Sequence, residues 1–142
     1  MKIVRAFPPN YAALCAAFPI RGRPGIIFSY GDTIYNPAGN PLSEALKVHE
    51  DVHGRRQNGN PAAWWERYIA DKDFRRDEEI AAHCAEAAYV LATATNRNAR
   101  RAGLFHVADR LSSPIYGGLM TKREAMALLR DVYPMEQPYG AM

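Results

Sequence analysis

His49-Glu50-Asp51-Val52-His53 constrains this chain more than any other stretch. The two histidines are four residues apart, close to one helical turn. On a helix, both imidazoles therefore leave the same face. Imidazoles held in this way can close on one Zn²⁺ at roughly 2.0–2.1 Å. Glu50 follows the first histidine, where its carboxylate can take a proton from a water activated by such an ion. The plainer reading is a polar helix with two unrelated histidines, so the surrounding sequence has to decide.

That sequence supports a helix with a working face. Ser43 suits an N-cap and Glu44 the first turn. Ala45, Val48 and Val52 form an apolar stripe for a core. Leu42, Leu46, His49 and His53 form a second stripe that faces a cleft. Asn58-Gly59-Asn60-Pro61 ends the helix. In front of it, Ile26 to Tyr30 and Thr33 to Tyr35 read as strands around a Gly31-Asp32 turn. Lys2 to Phe7 is also β-prone, and Asn10 can cap a brief helix through Phe18 that Pro19 stops.

Beyond the motif the chain reads as mostly helical. A short aromatic helix spans Ala62 to Ala70. The longest candidate runs from Phe74 to about Thr95, with Ile80, Cys84, Ala87 and Leu91 as its apolar stripe. Asn96 to Gly103 reads as a basic loop and Leu104 to Leu111 as a helix. Residues 112–118 form a loop. Thr121-Lys122-Arg123-Glu124 is a capping box opening a helix to about Val132. Pro134 to Met142 reads as irregular. The expected class is α+β, mainly helical, with a small sheet or hairpin before the motif helix. With 142 residues and no long linker, a single domain over 1–142 is expected.

Charge and cysteine usage narrow the possibilities. The net charge is +3, and most of the basic residues are arginines in close sets such as Arg97/Arg100/Arg101. No aromatic-interleaved basic stripe accompanies them, so nucleic acid is not the expected partner. Cys15 and Cys84 show neither metal nor disulfide spacing, which suits a reducing compartment. No stretch reads as a signal peptide or membrane span, so the expected location is the cytoplasm.

A hydrolytic zinc site needs three protein ligands and one open position. The chain resembles the gluzincin metallopeptidases, which follow His-Glu-x-x-His with a Glu-x-x-Ala-Asp segment on a later helix. Glu79-Ile80-Ala81-Ala82-His83 keeps Glu-x-x-Ala but has His83 where the aspartate stands. The resemblance implies one Zn²⁺ per chain, held by His49, His53 and Glu79. Glu78 is the rival third ligand, and His83 and Glu86 also stay open as ligands. The departure at His83 leaves open what orients the imidazoles. Glu78 and Glu79 could also simply complement the helix dipole. The metzincin alternative, a third histidine six residues after His53, fails because Gly59 stands there. His106 reads as an ordinary histidine.

A wider stretch, roughly residues 26–95, is similar to small zincin-like proteins of phages and prophages. It comprises Ile34-Tyr35-Asn36-Pro37, the motif with Gln57 four residues on, Trp64-Trp65 and the Glu-rich helix. The resemblance implies a minimal zincin with a sheet edge beside the cleft. An extended substrate would pair with that edge, either Thr33–Tyr35 or Ile26–Tyr30. An oxyanion donor is also needed, and Tyr116 beside Gly117-Gly118 is the candidate, with Tyr68 and Arg55 as others. Ordinary packing is the alternative for Tyr116.

The expected function is a zinc metallopeptidase acting on protein or peptide substrates. Its expected setting is virion assembly or lysis, with phage structural proteins as partners and a virion-associated location. Two alternatives stay open: a non-catalytic assembly scaffold keeping the fold, and a basic nucleic-acid-associated protein with structural zinc. Glu50 favours the peptidase, because a structural site has no use for a base.

Overall fold

In the computed structural model, which describes residues 1–136, the chain opens with a short strand, β1 (Lys2–Val4). A helix, α1 (Tyr11–Ala17), leads into a tight hairpin, β2 (Phe28–Tyr30) and β3 (Thr33–Tyr35). Asn10 stands at the N-cap of α1, but its side chain makes no capping bond. Gly31 turns the hairpin at φ +64°, a left-handed conformation that costs glycine little. β3 is the middle strand, parallel to β1 and antiparallel to β2.

Five helices follow: α2 (Glu44–Arg56), α3 (Pro61–Ala70), α4 (Lys72–Thr93), α5 (Arg97–Leu111) and α6 (Lys122–Arg130). A 3-10 turn, Pro114–Tyr116, joins the last two. The fold is a mainly helical α+β arrangement, with its small sheet ahead of the motif helix. The caps follow the sequence. Ser43 Oγ accepts from the Leu46 N–H, and Thr121 and Glu124 form the reciprocal capping box.

α4 is the organising element, packed against α2, α3, α5 and α6. Its Ala87, with Ile80 and Cys84 beside it, meets Val107, Ala108, Leu111 and Leu129 of α5 and α6. A second apolar cluster joins Leu14 of α1, Phe28 of β2 and Trp64, Trp65 and Tyr68 of α3. Among the described residues, no helix is long and apolar enough to cross a membrane.

Two differences from the sequence reading have local causes. The segment Asn96 to Gly103 is not a loop, because Asn96 Oδ1 caps α5 by accepting from the Ala99 N–H at 2.8 Å. Gly103 lies inside that helix because a Cβ there would collide with the Val90 side chain of α4. At the C-terminus, residues 134–136 lack regular structure. The rest of the expected irregular stretch, 137–142, lies outside the described residues.

Candidate metal centre

The 13 residues of α2 carry His49 and His53 on one face, and that face is buried against α4. His49 Nε2 and His53 Nε2 are 3.1 Å apart. Two ring lone pairs that close repel unless a cation or a proton lies between them. Glu79 of α4 supplies the third corner. Its Oε1 is 3.5 Å from His49 Nε2, and its Oε2 is 3.3 Å from His53 Nε2. Tetrahedral ligands at zinc distances are about 3.3–3.4 Å apart, and these contacts of 3.1, 3.3 and 3.5 Å, which use both oxygens of Glu79, lie near that spacing. Glu79 Oε1 and His53 Nδ1 are buried with no hydrogen-bond partner. The unpartnered carboxylate oxygen belongs to the triangle and is the donor an ion would satisfy.

The charge on Glu79 is held from several sides. Burial works against it, but the imidazoles of His53 and His49 outweigh burial and hold its carboxyl well below the usual range. The Tyr68 hydroxyl donates to Oε2 at 2.5 Å. Lost hydration, then the charge of Glu79, pushes that phenol well above its ordinary value, so it stays a donor. Tyr68 therefore supports the carboxylate and is not free to serve as an oxyanion donor.

Glu78, the rival third ligand, is otherwise engaged. Its Oε2 accepts from Arg56 Nε and Nη2 at 2.9 and 2.6 Å, and its Oε1 accepts from Trp64 Nε1 at 2.6 Å. Helical geometry turns adjacent side chains about 100° apart, so clamping Glu78 onto α2 and α3 aims Glu79 at the histidines.

His83 is fully buried beside the triangle. Its Nδ1–H donates to the Glu79 carbonyl at 2.8 Å, and its ring meets His49 edge-on with centroids 4.3 Å apart. Burial, and then neighbouring His49, hold its pKa well below 6.5, so it is neutral. The group that orients His49 is Glu86, whose Oε1 is 3.1 Å from His49 Nδ1. Its Oε2 pairs with Arg110 of α5. On the sequence, Glu86 reads only as a ligand candidate. The signal was present in the spacing: Glu79, His83 and Glu86 recur at i, i+4 and i+7 on one face of α4. A second group of possible ligands, His49, His83 and Glu86, shares His49 with the first.

Glu50 is buried at the same level of α2. Ser29 of β2 donates its hydroxyl to Glu50 Oε2 at 2.5 Å, and its Oγ also lies 2.8 Å from the Glu50 carbonyl. The Ser29 carbonyl in turn accepts from Gln57 Nε2 at 3.0 Å and Trp65 Nε1 at 2.9 Å. Gln57 Oε1 takes the Gly31 N–H at 2.6 Å. Gly54 lets helix and hairpin approach, since a Cβ there would lie 2.7 Å from the Gly31 carbonyl. Nothing in the local pattern marked Ser29, because its partner is 21 residues away.

These groups open onto a cavity of about 320 Å³, walled by apolar residues from α1, the 20–28 segment and Ile115. His49, Glu50, His53 and Glu79 line it, and so do Tyr116 and Arg110. Arg75 donates to the Tyr116 carbonyl at 2.8 Å and to the Tyr68 carbonyl at 2.7 Å, which fixes the Tyr116 turn. Lost hydration, then the charges of Glu79 and Glu50, raise the Tyr116 phenol well above its ordinary value.

Three expectations need correction. Thr33–Tyr35 is the central strand, paired on both sides, so it offers no edge to a substrate. The edge strand beside Glu50 is β2, which begins at Phe28 rather than Ile26. Arg55 is two-thirds exposed and paired with Asp51, outside the cavity wall. His106 is exposed on α5, away from the triangle. No family model, curated protein or solved structure matches the chain.

Proposed function

We propose that this protein is a zinc-dependent peptidase. One observation carries the reading: Glu50 and a buried His49–His53–Glu79 cluster, its donors 3.1–3.5 Å apart, all line one cavity. Two imidazoles and one carboxylate are a donor set of the hydrolytic kind. When bound, Zn²⁺ would acidify a water and polarise a carbonyl.

The chain's own groups then have assignable work. Glu86 accepts the Nδ1 proton of His49 and leaves Nε2 as the ligating atom. Tyr68 steadies Glu79. Ser29 occupies Glu50 Oε2, so Oε1 is the oxygen that takes a proton from the attacking water and passes it to the leaving amine. Tyr116, kept protonated, can donate to the oxyanion. The apolar wall limits bulk water and strengthens these interactions. The proposed substrates are proteins or peptides, and the phage resemblance directs the search to virion assembly and lysis.

Glu50→Gln keeps size and removes the base. The variant should hold one Zn²⁺ per chain by elemental analysis and melt with the wild type. It should cleave peptides about 10²–10⁴-fold more slowly. Zinc-loaded wild type that turns over nothing in a diverse peptide pool would overturn the reading. So would turnover that survives Glu50→Gln.

A further inference from the structure

Resting on the peptidase reading, we propose that the centre takes peptides by their C-terminal end. The terminal carboxylate would sit on Arg110, and a bulky apolar last side chain against the apolar part of the same cavity's wall. Three observations lead there.

The first is a blocked edge. A substrate running through the site would pair with β2, the edge strand beside Glu50. A backbone carbonyl has two lone pairs. The Ser29 carbonyl already accepts from Gln57 Nε2 and Trp65 Nε1, so no peptide N–H can be added there. The strand route is closed next to the base, which suits a chain that ends in the site.

The second is a single, fixed cation. Among the described residues that line the cavity, Arg110 is the only lysine or arginine. The acids in the wall are Glu50, held by Ser29, and Glu79, a proposed ligand of the metal. Arg110 is not a loose surface charge. Its Nη2 pairs with Glu86 Oε2, and the other oxygen of that carboxylate is 3.1 Å from His49 Nδ1. The guanidinium is thus tied to a ligand of the triangle through one intervening side chain. Five N–H groups radiate from a guanidinium, and the pair with Glu86 leaves others to donate. The side chain remains 41% exposed, so a ligand can reach it.

The third is the apolar wall. Leu14, Phe18, Ile20 and Phe28 line the same cavity, whose volume is about 320 Å³. A large apolar side chain gains most from burial there. An apolar side chain and a carboxylate occur together on the last residue of a peptide.

The test uses matched peptides ending in Leu or Phe, as free acid and as amide, plus an amide with Asp next to the end. The free acid should lose its last residue with kcat/KM about tenfold or more above the amide. Arg110→Gln should erase that difference and Arg110→Lys should keep part of it, with zinc content unchanged in both. In parallel, binding of the same peptides to zinc-loaded Glu50→Gln protein is measured by calorimetry, where no turnover is needed. Acid preferred over amide in this arm, and lost with Arg110→Gln, supports the carboxylate site even if no peptide is ever cleaved. In that case only the peptidase reading fails. Equal handling of acid and amide overturns the inference. So does predominant internal cleavage, or an Asp-containing amide that performs as well as the acid.

Discussion

Removing Glu86 should weaken zinc binding although Glu86 is not among the three proposed ligands. Its Oε1 is 3.1 Å from His49 Nδ1 and its Oε2 pairs with Arg110. The carboxylate fixes the ring so that Nε2 faces Glu79, and its charge strengthens the ligating lone pair. Losing such a partner costs about 10–100-fold in metal affinity. That range corresponds to about 1.4–2.7 kcal/mol. Glu86→Gln keeps an acceptor for the Nδ1 proton but no charge, so it should fall near the lower end. Glu86→Ala loses both and should fall near the upper end. Arg110 loses its partner in either variant, but its side chain is 41% exposed and water replaces much of the interaction. The assay is competition for zinc against a chromophoric chelator at fixed pH. Melting the chelated proteins alongside separates lost affinity from lost fold. If Glu86→Ala binds zinc as tightly as wild type, the orientation argument is wrong.

Ser29→Ala should lower kcat about tenfold with KM and zinc content unchanged, and Ser29→Thr should restore part of it. A change confined to KM would refute the positioning role. Gly54→Ala should destabilise by roughly 1–3 kcal/mol in urea titration, because its Cβ meets the Gly31 carbonyl at 2.7 Å. Helix propensity alone predicts the opposite sign, so a stabilised variant would show that the helix–hairpin contact is not tight. In metal-free protein, His83 is held neutral with a pKa well below 6.5, whereas the unfolded chain takes up that proton near 6.5. Its contribution is therefore present above that pH and is lost as pH falls below it. The urea midpoint should drop between pH 7.5 and pH 5, and His83→Gln should remove part of the drop. An unchanged slope would assign the acid sensitivity elsewhere.

Much of the frame could be read from local signals. Ser43 and the Thr121–Glu124 box mark helix starts because their partners lie three residues away. Gly31 marks the hairpin because few other residues adopt its backbone angles cheaply. The i, i+4 spacing of His49 and His53 placed them on one face before any packing was known. The start of α5 misled for a physical reason. Its first two turns are exposed and rich in Asn and Arg, so they carry no apolar period, and tertiary contact at Gly103 replaces it. The groups around the triangle were hidden by separation along the chain. Ser29 meets Glu50 across 21 residues and Glu86 meets His49 across 37. Glu78 and Glu79, neighbours with the same chemistry, are told apart only by what α2 and α3 offer each of them.

The clamp on Glu78 has a bearing on ion selectivity. Arg56 and Trp64 set the rotation of α4 through protein contacts alone. The spacing of the three donor atoms is therefore imposed by packing, and a guest ion has little power to adjust it. Calcium takes roughly six to eight oxygen ligands, whereas two of the three donors here are imidazole nitrogens. A stiff frame of this kind discriminates by donor type and by how few ligands it offers, and favours cations that accept nitrogen ligands.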